Sequence, residues 1–111
     1  AVMIHSMKAG RVLDLESSPT LSDGTAGGVE ENSITFPVCC NVIDESVLVT
    51  EDEIRNAMVT YMDRKHQLLE GAAGTAVAAL IKKKDELDGK RVGVVICGGN
   101  ISLDTVRKIL N

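Results

Sequence analysis

Two kinds of apolar pattern alternate along this chain: stretches with a three-to-four-residue period and short unbroken β-branched runs. The opening "AVMIHSMKAG" carries Val2, Met3, Ile4 and Met7, then Lys8 and Gly10, which predicts the last turns of a helix closed by a glycine. "RVLDL" alternates and predicts a short strand or an extended connector. "SITFPVCCNVI" fits either helix or strand; helix is favoured, with Ser33 as cap and Pro37 in the first turn. "ESVLVT" predicts a buried strand. The clearest helix begins at Thr50, where Glu53 three residues on completes a capping box. Ile54, Ala57, Met58, Tyr61, Lys65 and Leu68 then make one mostly apolar face. "GAAGTAVAALIKKKDELDG" predicts another helix, small-sided at its front, charged at its rear and closed by Gly89. "RVGVVIC" does not alternate, as in a parallel strand covered on both faces. "SLDTVRKILN" predicts a last helix capped by Ser102, with Leu103, Val106 and Leu110 as its inner stripe.

This order is α/β, with no internal boundary across residues 1–111. The long stretch "ESSPTLSDGTAGGVEENS" is a loop whose Asp-Gly and Gly-Gly pairs mark tight turns. Two or three strands make a thin sheet. Such a segment by itself would expose apolar strand faces and is expected to aggregate or dimerise. The chain opens on Ala1 in the middle of a helical pattern, so a piece of a longer protein is expected.

Composition narrows the class. Apolar residues make up 44% and charged residues 25%, as in a globular protein. Aromatics are 2%, which leaves no stacking platform for single-stranded nucleic acid. A net charge of −4 disfavours a phosphate-backbone binder, so nucleic acid is not an expected partner. The basic run Lys82–Lys84 is followed at once by Asp85, Glu86 and Asp88 and reads as a solvated helix face. No apolar run approaches the roughly 18 residues of a membrane span, and no signal core opens the chain. Cys39, Cys40 and Cys97 form no C-x-x-C pair; a reducing cytoplasm fits better than a disulfide scaffold. Cys39 and Cys40 are expected as buried helix residues, His5 and His66 as surface residues. No grouping of residues reads as a metal site.

The candidate chemistry lies in "VVICGGN". In open α/β sheets, ligands sit beyond the carboxyl ends of the strands. Cys97 stands at such an end, and Gly98 and Gly99 remove side chains where a flat ligand could press on the backbone. The alternative is a plain strand-to-helix turn with a structural cysteine. Nucleotide fingerprints of the G-x-G-x-x-G and P-loop types are missing. Glu70 precedes the small-residue helix, where a carboxylate also interacts favourably with the helix dipole.

The segments "LSDGTAGG", "DESVLVTEDEIRNAM", "LLEGAAGTAVAAL" and "VVICGGNISLDTV" together resemble the C-terminal part of the pyridoxal-phosphate threonine/serine dehydratases. These belong to the tryptophan synthase β-like group (fold type II), which includes serine racemase. The resemblance implies an open, mostly parallel sheet flanked by helices, with pyridoxal 5'-phosphate as cofactor. It implies that Cys97 contacts the pyridine nitrogen, that Gly98 and Gly99 let the backbone pass the ring, and that Glu70 lies beside it. A thiol is a weak donor and would leave that nitrogen largely unprotonated, a milder electron sink suited to β-elimination. Ala72, Ala73 and Gly74 would wall the pocket or serve tight helix packing. Asp23 and Gly24 would lie on the substrate side.

The resemblance also implies a homodimer, a small amino-acid substrate, and a chemistry completed by the remainder of the enzyme chain. With no regulatory domain read after Asn111, the short degradative type is expected rather than the feedback-regulated one. The Schiff-base lysine of the family stands in a Ser-x-Lys-x-Arg-Gly-type motif, and no lysine here has that context. The 111 residues alone are therefore expected to be inactive, with no catalytic residue of their own. Two other readings stay open: a non-catalytic dehydratase-like fragment or interaction module, and a related pyridoxal-phosphate lyase or racemase with another substrate.

Overall fold

The computed structural model describes residues 1–111 and contains five α-helices. They are α1 (Val2–Ala9), α2 (Thr35–Val42), α3 (Glu51–Lys65), α4 (Gly71–Lys82) and α5 (Leu103–Leu110), with a short 3-10 turn at Asp23–Thr25. The chain packs as two compact units. Ala1–Pro19 and Ala26–Leu48 form the first; Thr20–Thr25 and Val49–Asn111 form the second.

In the first unit α1 packs on α2. Gly10 closes α1 in the left-handed conformation (φ 68°), as the glycine after Lys8 predicts. The Gly10 and Arg11 amides donate to the Met7 and Ser6 carbonyls, each at 3.2 Å, in a Schellman arrangement. Ser6 is buried, and its hydroxyl is satisfied there by accepting the Leu13 amide at 3.0 Å. Helix α2 forms, but it starts at Thr35, and Ser33 supports it by accepting the Thr35 amide at 3.3 Å rather than as its N-cap. No residue of α2 is buried. This corrects the expectation for Cys39 and Cys40: the first is half-buried, the second exposed, and both are free thiols. Ile34, Val38 and Val42 share a face at i, i+4 and i+8, and all three are exposed.

The second unit is built on α3 against α4, with α5 packed on α3. Ile54, Ala57, Met58, Leu69, Ala73, Ala78 and Ile109 form its core. The small front of α4 is what brings the two helices together: a Cβ on Gly74 would stand 2.5 Å from Met58 Cγ. Ala73 and Gly74 therefore serve helix packing. Helix α3 ends earlier than its apolar period predicts. His66 takes a left-handed conformation (φ 55°) and donates its amide to the Met62 carbonyl at 2.9 Å. The turn brings Leu69, not Leu68, into the core, and Leu68 stays 54% exposed. On α5 the stripe is displaced as well. Ile109 is buried, whereas Leu103 and Leu110 are exposed. Arg55 of α3 holds this register by donating from Nε to the Ile109 carbonyl at 2.9 Å.

The expected strands do not form. Neither "RVLDL", "ESVLVT" nor "RVGVVIC" carries strand structure. A β-branched run becomes a strand only when a neighbouring backbone completes its ladder. Without one, Val92, Val95 and Ile96 remain exposed. No helix is long and apolar enough to cross a membrane.

The capping box at α3 forms as its sequence predicts. The Thr50 amide donates to Glu53 Oε2 at 2.7 Å, and the Glu53 amide donates to the Thr50 hydroxyl at 3.2 Å. Lys82 of α4 reaches the same carboxylate at 3.0 Å. The Thr50 amide, and after it Lys82, hold the Glu53 carboxyl below its ordinary value. A carboxyl lowered in the folded state stabilises fully above its unfolded value and loses that contribution as pH falls through the folded one. Thr50→Ala in the full-length protein is expected to cost about 1 kcal/mol at neutral pH. The deficit of Glu53→Gln should shrink as pH falls below the ordinary glutamate range. Urea midpoints at neutral and acid pH measure both, and a pH-independent Glu53→Gln deficit would refute the assignment.

Candidate functional site

The first turn of α4 is where the sequence candidates meet. Glu70 precedes it in extended backbone (φ −80°, ψ 163°) and accepts the Gly74 amide on its carbonyl at 2.9 Å. Its side chain makes no capping bond. The carboxylate lies instead over Gly98, where a Cβ would stand 2.5 Å from Glu70 Cδ. The Glu70 amide donates to the Gly98 carbonyl at 3.2 Å. Gly99 is pressed in the same way, since its Cβ would meet the Leu68 carbonyl oxygen at 2.9 Å. Backbone packing thus leaves little room for a side chain at Gly99, whereas the group against Gly98 is the movable end of the Glu70 side chain.

Cys97 precedes this contact, and its residue is exposed. After the glycines, the Ile101 amide turns back to the Gly99 carbonyl at 3.0 Å. Ser102 then caps α5 by accepting the Thr105 amide at 3.1 Å.

The loop Thr20–Thr25 reaches α4 from another part of the chain. The Leu21 carbonyl sits directly against the Gly71 α-carbon. Gly24 lies beside Ala72, with 3.8 Å between the Ala72 Cβ and the place a Gly24 Cβ would take. The loop is knotted by its own polar groups. Asp23 Oδ1 accepts the Gly24 amide at 2.8 Å, and the Ser22 and Thr25 hydroxyls are 2.5 Å apart. Asp23 and Gly24 are exposed, and Ser22 is buried.

Glu70 and Gly98 are thereby in contact, Gly99 lies on the neighbouring backbone, and Gly24 packs on the same helix turn. Cys97 joins them through the chain. The sequence pattern marks neither Gly71 nor Glu51 for this role. Glu51 reads as an ordinary acidic residue of a first helical turn, yet its carboxylate bonds Thr20 and Leu21 some thirty residues earlier. No local signal reports a contact at that separation. Lys82 and Lys83 pair with Glu53 and Glu86.

Chemically, the surface offers a thiol donor, a half-buried carboxylate and backbone stripped of side chains. Such a donor set fits the edge of a flat heteroaromatic ring such as the pyridine of pyridoxal phosphate. It contains no cationic group for a phosphate, so it fits one edge of that cofactor rather than the whole.

Comparison with known proteins gives the same direction. The chain is 38% identical to the L-threonine ammonia-lyase of Thermotoga maritima over 109 residues, 98% of this chain and 27% of that protein. It is 42% identical to the serine racemase of Dictyostelium discoideum over 94 residues, 83% of this chain and 28% of that protein. The crystal structure of the Dictyostelium discoideum serine racemase superposes with a TM-score of 0.76 at 35% identity, covering 92% of this chain and 32% of that one. The chain thus spans under a third of the length of these relatives. Residues 1–98 match the family model described as pyridoxal-phosphate dependent enzyme, and the chain belongs to that family.

Proposed function

We propose that these residues are the C-terminal segment of the cofactor domain of a threonine/serine ammonia-lyase. The full enzyme converts a hydroxy amino acid to a 2-oxo acid and ammonia. Water lost in the β-elimination is returned when the nitrogen is hydrolysed, so the net change releases only ammonia. The observation that carries this reading is the packing of the Glu70 carboxylate on Gly98 beside the exposed Cys97. The likeness to an ammonia-lyase across nearly the whole chain supports it.

Bound pyridoxal phosphate supplies the electron sink for loss of the substrate's α-proton and β-hydroxyl. Within this chain, Cys97 holds the ring-nitrogen edge through its thiol hydrogen. Gly98 and Gly99 keep the backbone free of side chains there. Glu70 sets a negative charge beside the ring and is itself placed by Gly98. Asp23 and Gly24 border the substrate. The runs "ESVLVT" and "RVGVVIC" become strands of an open, mostly parallel sheet when the remainder of the enzyme supplies neighbouring strands. Residues 1–111 then act as one part of a cofactor domain, in a cytoplasmic homodimer.

Cys97→Ala in the full-length enzyme is expected to weaken cofactor binding about 3- to 10-fold, the value of one hydrogen bond. Cys97→Ser should restore it. Absorbance titration with pyridoxal phosphate reads both, and an unaltered Cys97→Ala titration would remove Cys97 from the ring edge.

The similarity to a serine racemase favours a second reading, a racemase. Incubating the full-length protein with L-threonine or L-serine separates the two. Release of 2-oxo acid and ammonia supports the lyase. Conversion of L-serine to D-serine without ammonia replaces it with the racemase.

A further inference from the structure

We propose that Glu51 is a positioning residue that clamps the loop Thr20–Thr25 onto the cofactor side of α4. Its carboxylate bonds two successive residues of the loop. Oε1 accepts the Thr20 hydroxyl at 2.5 Å, and Oε2 accepts the Leu21 amide at 2.8 Å. The Thr20 hydroxyl in turn accepts the Ser22 amide at 3.1 Å, so one carboxylate orders three consecutive residues. Leu21 is the residue whose carbonyl seats on Gly71, and Gly24 lies three positions on, against Ala72. A shift at Glu51 therefore reaches Asp23 and Gly24 through a short, hydrogen-bonded segment.

The usual reason for an acid in the first turn of a helix is the helix dipole. That role needs a charge but no particular reach. The two-atom grip on Thr20 and Leu21 needs the length of glutamate, and it needs two hydrogen-bonding groups, one of them an acceptor for the Leu21 amide, more than it needs charge. Glutamine meets that need: its carbonyl oxygen accepts the Leu21 amide, and its amino group donates to the Thr20 hydroxyl. Aspartate keeps the charge and is one methylene short. The contacts are exposed, and exposed polar contacts add little to global stability. Loosening the clamp should thus free the loop without unfolding the protein.

The inference rests on the proposed cofactor site, and its test keeps the two apart. In the full-length protein, Glu51→Ala, Glu51→Asp and Glu51→Gln are compared with wild type. Hydrogen exchange reads the peptide containing Leu21–Thr25, absorbance titration reads pyridoxal phosphate, and steady-state kinetics with L-threonine separate KM from kcat. Glu51→Ala and Glu51→Asp should speed exchange of the loop amides about 10-fold or more and weaken cofactor or substrate binding by a similar factor. Glu51→Gln should stay near wild type in all three. Helix electrostatics alone would invert the order, with aspartate near wild type and glutamine like alanine; that result overturns the clamp. Unchanged loop exchange in Glu51→Ala overturns it too. Faster exchange with unchanged cofactor and substrate binding overturns the positioning role. Should the wild-type protein bind no pyridoxal phosphate, the cofactor reading falls and takes the positioning role with it, while exchange still reports whether Glu51 anchors the loop.

Discussion

Gly71→Ala in the full-length enzyme is expected to cost about 100-fold in kcat/KM, the scale of a 1 Å misplacement near reacting groups. The methyl group would occupy the space of the Leu21 carbonyl, with the Ser22 amide nitrogen 2.8 Å away. These are backbone atoms, so no rotamer change relieves the overlap. Either the loop leaves α4 or α4 shifts on α3. Overpacking of this kind costs about 1–3 kcal/mol, against a gain of under about 1 kcal/mol from replacing a helical glycine. The melting temperature should therefore fall modestly while cofactor and substrate binding fall steeply. Gly24→Ala is the informative companion. Its Cβ would meet the Ala72 Cβ at an ordinary 3.8 Å, so the fold accepts it. Unchanged stability with weakened binding in Gly24→Ala would show that the ligand presses on Gly24. Wild-type kinetics in Gly71→Ala would refute the role of the loop.

Gly98→Ala is expected to act through Glu70. The added methyl group would overlap the carboxylate, the far end of a flexible side chain, so the carboxylate swings away and the backbone holds. Thermal stability should change by less than about 1 kcal/mol, while kcat falls about 10-fold or more through the displaced charge. A double-mutant cycle isolates the cause. In a Glu70→Ala background the overlap no longer exists, so Gly98→Ala should add little further loss. Fully additive losses would mean that Gly98 serves the ring directly and that its contact with Glu70 is incidental.

The elements that follow from the sequence are those whose determinants lie within one or two helical turns. The Thr50–Glu53 box spans three residues, and both of its bonds form. Gly10 terminates α1 because the left-handed conformation is easiest for a residue without a Cβ. The small residues of α4 announce a close approach, and Gly74 makes it against Met58. The site candidates Glu70, Gly98 and Gly99 are visible as motif residues, and packing brings them together.

Local residue patterns thus place the capping box of α3, the glycine stop of α1 and the close approach made by the small front of α4. The tertiary structure decided the rest, because each remaining feature depends on a partner distant in the chain. Helix α5 carries apolar residues at Leu103, Val106, Ile109 and Leu110, and only its docking on α3 selects Ile109 for burial. Leu69 replaces Leu68 in the core because the left-handed His66 turns the chain before the helical period can continue. The β-branched runs have strand propensity, but a ladder is a property of two backbones. The grip of Glu51 on Thr20 and Leu21 joins residues about thirty apart, a contact that only the folded chain creates.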